Sequence, residues 1–233
     1  MSRFLVPLGM VVGIAAGVAF PGSARAAAKP AATSHYAFVE RVVTARAAPN
    51  ARARRVGRLR LRTEDGTDEL VQVLATTRRG GREWRRVRLP ILPNNETGWV
   101  PAAALSALRT VHTSLYVDRS RQLLVLYRNG TPVFRAQIGV GRSGTPTPAG
   151  HFYIRDKLTG FPPGTIYGPV AFGTSAKSAV LTDWPRGGVI GIHGTNEPQL
   201  LPGRVSHGCM RMRNHDIRRL ARLLPVGTPL TIV

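Results

Sequence analysis

Asn129-Gly130 sits between two apolar-rich runs, Gln122–Tyr127 and Thr131–Ile138. An Asn-Gly pair in that setting is the strongest short-range hairpin signal, because both central turn positions need positive φ. Most of the remaining chain also reads as short strands broken by polar turns. Ser114–Val117, Gln122–Arg128, His151–Arg155 and Val189–His193 have strand character, with a Gly-, Thr- and Pro-rich loop from Gly139 to Gly150. One stretch has helical spacing. Asn214 is placed to cap a helix from His215 to about Leu224, with Ile217, Leu220, Ala221 and Leu224 on one face. Pro225 and Gly227 end it, and Thr228–Val233 reads as a last strand. The expected fold class is therefore mainly β with few helices.

The region from Tyr36 to Ser106 is expected to form a unit of its own. Phe38–Thr44, Glu69–Ala75 and Glu83–Leu89 read as strands, punctuated by Pro49-Asn50, Gly80-Gly81 and Asn94-Asn95. About five short strands in some 70 residues suggest a small barrel. Thr44-Ala45-Arg46-Ala47-Ala48-Pro49 and Gly98-Trp99-Val100-Pro101 resemble the opening and final strand of a bacterial SH3-like domain. That resemblance implies an accessory positioning or binding module over 36–106. Trp84 and Trp99 also have a plainer reading as barrel core.

Export is the expectation from the N-terminus. Arg3 precedes a 17-residue apolar run, Phe4 to Phe20, and then a small-x-small cleavage pattern ending at Ala26. A bilayer span needs roughly 17–25 apolar residues, and this run contains Pro7 and three glycines. A cleaved signal over 1–26 followed by a linker over 27–35 fits better than an anchor. Cys209 is the only cysteine, which excludes an intramolecular disulfide framework and an N-terminal lipoprotein cysteine. The chain carries 33 basic and 12 acidic residues, a net charge of +21. Such a balance fits a polyanionic neighbour. Exported chains rarely meet nucleic acid, the arginines are dispersed, and no nucleic-acid-binding signature is present. No nucleic-acid partner and no stable membrane insertion after signal cleavage are expected.

The chemistry concentrates in Ile192-His193-Gly194-Thr195 and, with twelve residues between His193 and Ser206, in Ser206-His207-Gly208-Cys209-Met210-Arg211. In an extended segment His207 and Cys209 would share a face. An imidazole there can take the thiol proton and hold the thiolate as an ion pair. The Ser206 carbonyl or side chain, or a group near His193, is expected to orient the imidazole, and amides around Gly208 and Cys209 to face a developing oxyanion. Two other readings stay open. His193, His207 and Cys209 are acceptable zinc ligands with an open fourth position, although the nearest carboxylates are Glu197 and Asp216. A buried free cysteine can also be simple packing.

The same residues resemble the YkuD-type L,D-transpeptidase family, whose signature is a His, a spacer, then Ser/Thr-His-Gly-Cys, a hydrophobic residue and Arg or Asn. Thr145-Pro146-Thr147-Pro148-Ala149-Gly150 resembles the family's upstream TPxG segment. The resemblance implies a β-sandwich-like catalytic domain over 107–233 acting on peptidoglycan stem peptides without a cofactor. It implies that Cys209 attacks the diaminopimelyl carbonyl, that His207 serves as base and then acid, and that D-alanine leaves. An amine of a neighbouring stem would take the thioester. Hydrolysis would instead make the same site an L,D-carboxypeptidase, and a degenerate site would leave a wall-binding protein. His193, Arg211 and Tyr167 are expected to contact substrate. For Arg211 a pairing with Asp216 at the helix start is the alternative.

Overall fold

The computed structural model describes residue 1, residues 33–183 and residues 188–233. Apart from Met1, the expected signal lies outside the described residues, as does the linker through residue 32. No helix among the described residues is long and apolar enough to cross a membrane.

Seven antiparallel strands build the first unit: β1 (Ser34–Phe38), β2 (Val43–Arg46), β3 (Arg55–Leu59), β4 (Leu70–Arg79), β5 (Arg82–Arg88), β6 (Thr97–Pro101) and β7 (Arg109–Val111). Their order is β3-β2-β6-β5-β4-β1-β7. Ser34 and His35, expected in the linker, already pair with β4 and β7. Strand β7 carries this sheet past the expected boundary at 106. The unit has its own core, including Ala37, Ala45, Leu59, Val71, Val87 and Val100. Trp84 is buried and Trp99 half-buried. Strand β4 explains why Glu69–Ala75 alternates only in part. Val71 and Val73 face the first core, while Leu70 joins a separate cluster with Tyr36, Val111 and Tyr153. Both faces are covered there, so the sequence loses its polar half-period.

The second unit contains β8 (Thr113–Asp118), β9 (Leu123–Arg128), β10 (Thr131–Gln137), β11 (Gly139–Gly141), β12 (Gly150–Tyr153) and β13 (Leu158–Thr159). It continues through β14 (Val170–Lys177), β15 (Val189–His193), β16 (Gly203–Ser206), β17 (Met210–Arg211), helix α1 (Asn214–Leu223) and β18 (Pro229–Ile232). One sheet runs β10-β9-β8-β18-β12 and the other β13-β14-β15-β17-β11-β16. Residues of both sheets and of α1, among them Leu115, Phe152, Phe172, Ile192, Ile217 and Leu220, form one core. The mainly β, sandwich-like expectation holds for this unit. At the β9–β10 hairpin Asn129 has φ 51° and Gly130 φ 77°, the left-handed pair the Asn-Gly signal required.

Charged and polar side chains join the units. Arg155, nearly inaccessible, donates Nε to Glu69 Oε1 at 3.0 Å and forms a second, short contact to Glu69 Oε2. It also meets Glu64 at 2.8 Å, and Lys177 meets the other Glu64 oxygen at 2.7 Å. Asn94 bridges the amide and carbonyl of Lys177, and Asn95 accepts the His151 amide. The Asn94-Asn95 turn thus fastens the first unit to the end of β14 in one sheet and to the edge strand β12 of the other.

Candidate active site

Strands β15 and β17 run parallel, with Ile192 opposite Met210 and His193 opposite Arg211. Ile192 and Met210 point into the core. The period of two then brings Gly191, His193, Cys209 and Arg211 to the other face. The Gly191 amide donates to Cys209 Sγ at 3.3 Å. A side chain at 191 would begin 3.2 Å from the Phe172 carbonyl, 3.9 Å from that sulfur and 4.0 Å from His193 Cδ2, so residue 191 borders both thiol and ring. The absence of a Cβ keeps the space beside them open.

His193 is buried, and its Nδ1 lies 2.7 Å from the Gly194 carbonyl. A carbonyl only accepts, so Nδ1 holds the proton and Nε2 of the neutral ring is the acceptor. Burial pushes the His193 pKa down to about 4, against the opposing pull of the Gly194 carbonyl. Burial also raises the Cys209 thiol, opposed by the Gly191 hydrogen bond and Arg211. Both groups therefore rest uncharged at neutral pH. The resting state differs from the expected thiolate–imidazolium pair because burial penalises both charged forms.

His207 stands elsewhere. It is exposed, and its Nε2 lies 2.8 Å from Arg142 Nη2. A guanidinium only donates, which makes that ring nitrogen the acceptor. The expectation that His207 and Cys209 share a face assumed extended backbone between them. Gly208 has φ +121°, which breaks the alternation. A Cβ there would lie 2.7 Å from Ile190 Cδ1, so this turn needs glycine on two counts.

Ser206 is buried and spends its hydroxyl inside the turn. Its Oγ donates to the Cys209 carbonyl at 2.6 Å and accepts the Gly208 amide at 3.0 Å. Its carbonyl accepts from the Arg142 amide and from Thr145 Oγ1. Ser206 therefore shapes the nucleophile turn and does not orient an imidazole. Thr147, in the Thr-Pro-rich segment, bonds the Gly208 carbonyl at 2.7 Å and the Gly141 amide at 2.9 Å. Its role was not apparent from sequence, although its motif was.

Arg211 pairs with Glu197 at 2.8 Å, whereas Asp216 meets His215. The alternative Arg211–Asp216 pair does not form, since the Arg211 guanidinium is engaged by Glu197. Tyr167 packs edge-on against His193 at 5.2 Å and stacks on Phe161 at 5.5 Å. It joins His193, His207, Cys209 and Arg211 in one pocket. Asn214 begins α1 without capping it; the N-cap is Arg213, with no side-chain cap bond. Asn214 Oδ1 instead accepts the buried Thr195 amide at 2.9 Å, fixing the segment after His193. No group of three or more His, Cys, Asp or Glu side chains among the described residues is arranged to hold a metal ion, so the zinc alternative has no geometric support.

The YkuD family model, an L,D-transpeptidase catalytic domain, matches residues 112–232. Among named relatives, YkuD of Bacillus subtilis (strain 168), which carries an L,D-transpeptidase name, is 33% identical over 53% of this chain and 67% of its own length. YbiS of Escherichia coli (strain K12), also named as an L,D-transpeptidase, is 30% identical over 53% of this chain and 45% of its own. A solved catalytic domain from an E. faecium L,D-transpeptidase is 26% identical, covering 52% of this chain and 96% of that one, with a TM-score of 0.39. The chain thus spans from under half to about two thirds of the length of these two named relatives.

Proposed function

Because the chain belongs to the YkuD L,D-transpeptidase family through residues 112–232, we propose that it is an exported peptidoglycan L,D-transpeptidase with Cys209 as acyl carrier and His193 as base. The observation that carries the base assignment is the buried His193 ring, held through Nδ1 by the Gly194 carbonyl, in one pocket with Cys209 and with Gly191 bordering both. His207, engaged with Arg142 at the solvent side, is assigned to the pocket entrance.

In this reading the thiol proton passes to His193 Nε2 as Sγ attacks the diaminopimelyl carbonyl of a tetrapeptide stem. The C–S bond forms and the carbonyl π electrons move onto oxygen. Gly208 commits its amide to Ser206 Oγ, so the Cys209 amide is the proposed oxyanion donor. Collapse expels D-alanine, whose amine takes the proton from the imidazolium. A stem amine then attacks the thioester, loses a proton to His193, and the thiol is restored with that proton. Water in place of the amine gives the carboxypeptidase outcome. Arg211 and Tyr167 line the wall beside His193 and are assigned to substrate contact.

The first unit is proposed as an SH3-like accessory module, a reading supported by its separate core and its Gly98-Trp99-Val100-Pro101 strand. Mass spectrometry of products from a tetrapeptide-stem donor tests the enzyme assignment. Wild type should release D-alanine and yield stem dimers, and Cys209→Ala should do neither. Dimers from the alanine variant would overturn the assignment.

A further inference from the structure

Arg58, Arg60 and Arg62 lie on the edge of the first sheet, in and just beyond β3, and all three line two adjoining depressions. The deeper one, about 410 Å³, runs down to Arg155, Glu64 and Lys177 where the two units meet. Its floor is electrically matched, since Arg155 and Lys177 are balanced by Glu64 and Glu69. The rim is not matched. The side chains of Arg58 and Arg60 are exposed and make no ion pair or hydrogen bond among the described residues, while Arg62 is held by an exposed pair with Asp68 and a hydrogen bond to the Gly66 carbonyl. Such exposed pairs contribute little.

We propose that this rim is a binding site for a linear polyanion carrying phosphodiester groups, separate from the catalytic pocket. Alternate residues of an extended chain are about 6.6–6.8 Å apart, which sets the spacing of Arg58 and Arg60 at the end of β3, and Arg62 follows beyond the bend at Leu61, so three guanidinia are grouped along one edge. The guanidinium fork matches a phosphate oxygen pair in a way a lysine does not. Val42 and Leu61, 47% and 43% exposed, flank the arginines and give apolar contact to the carbon atoms between phosphates. Neither depression is lined by an aromatic residue, so nucleic-acid bases would find no stacking surface. The ligand class is thus a backbone polymer recognised by clustered charge, and the site would hold the protein along such a polymer while the pocket works on another chain.

The test is fluorescence anisotropy with a labelled poly(glycerol phosphate) oligomer and the purified full chain. Two triple variants remove equal charge: Arg58, Arg60 and Arg62 to Gln, and Arg78, Arg79 and Arg82 to Gln on the exposed β4–β5 hairpin end. The rim variant should lose at least tenfold in affinity and lower the salt slope by about 2, at ~0.7 per lost contact. The hairpin variant should lose less than threefold. Equal losses would mean that net charge alone binds and would overturn the proposal. So would tighter binding of single-stranded DNA of equal charge than of the polyol phosphate. An unchanged circular dichroism melt for both variants excludes misfolding, and the readout is independent of transpeptidase turnover.

Discussion

At Cys209 the local groups pull in opposite directions: burial disfavours the thiolate, while the Gly191 amide and Arg211 favour it. Burial wins, so Cys209 rests as a thiol, and in the proposed mechanism it is activated only by transfer to a base. Alkylation of Cys209 by iodoacetamide should therefore accelerate steadily, about tenfold per unit from pH 6 to pH 8, as the thiolate fraction grows. A rate plateau across that window would reveal a preformed ion pair and sink the uncharged resting state. His193→Gln should cut turnover by roughly 10²–10⁴-fold, the usual worth of a positioned base. His207→Gln, at the entrance, should raise KM more than it lowers kcat. Equal kcat losses in the two variants would dissolve the distinction between them. Thr147→Val leaves the Gly208 carbonyl and Gly141 amide short of a buried partner, a loss of about 1–3 kcal/mol measurable by urea denaturation.

Among the elements, the hairpin and helix were legible and β14 was not. Asn129-Gly130 predicted its turn because the turn's own dihedrals select those residues. The helix face of Ile217, Leu220 and Leu224 was visible because its period is local. Strand β14 reads Val-Ala-Phe-Gly-Thr-Ser-Ala-Lys and is buried over its first seven residues. A strand covered on both faces shows no alternation, and small polar residues disguise it as loop. Strand β11 hid inside the Gly- and Pro-rich loop for a similar reason, being three residues held by non-local partners. Asn214 was placed correctly at the helix start, yet its side chain serves Thr195. Asn214→Ala should therefore leave α1 helicity intact by circular dichroism while lowering kcat/KM. A loss of helicity comparable to that of a removed cap would contradict this.

Across the whole molecule, the Arg155 cluster makes the two units depend on each other. Arg155 and Glu69 side chains are only 3% and 5% exposed, so removing one partner strands the other's charge. Arg155→Met should cost about 3–5 kcal/mol and split one calorimetric transition into two. A single unshifted transition would show that the units are not coupled there. Although burial alone would raise the Glu64 carboxyl, Arg155 and Lys177 outweigh it and hold the pKa at about 2. Its folded value lies below its unfolded one, so this stabilisation is present above about pH 4.5 and disappears as pH falls toward 2. The melting-temperature gap between wild type and Glu64→Gln should accordingly close over that range.

Residue types and short spacing by themselves determined the candidate thiol, the two candidate imidazoles, the glycine between His207 and Cys209, the hairpin and the amphipathic helix. All of these are set within a few residues along the chain. How the two imidazoles sit relative to the thiol was decided only by the tertiary structure. The parallel pairing of β15 with β17 brings His193 into the pocket with Cys209, with Gly191 bordering both, while the positive φ of Gly208 breaks the alternation between His207 and Cys209. The charge state of the site is likewise a tertiary property, because desolvation depends on what packs over a group rather than on its neighbours in sequence.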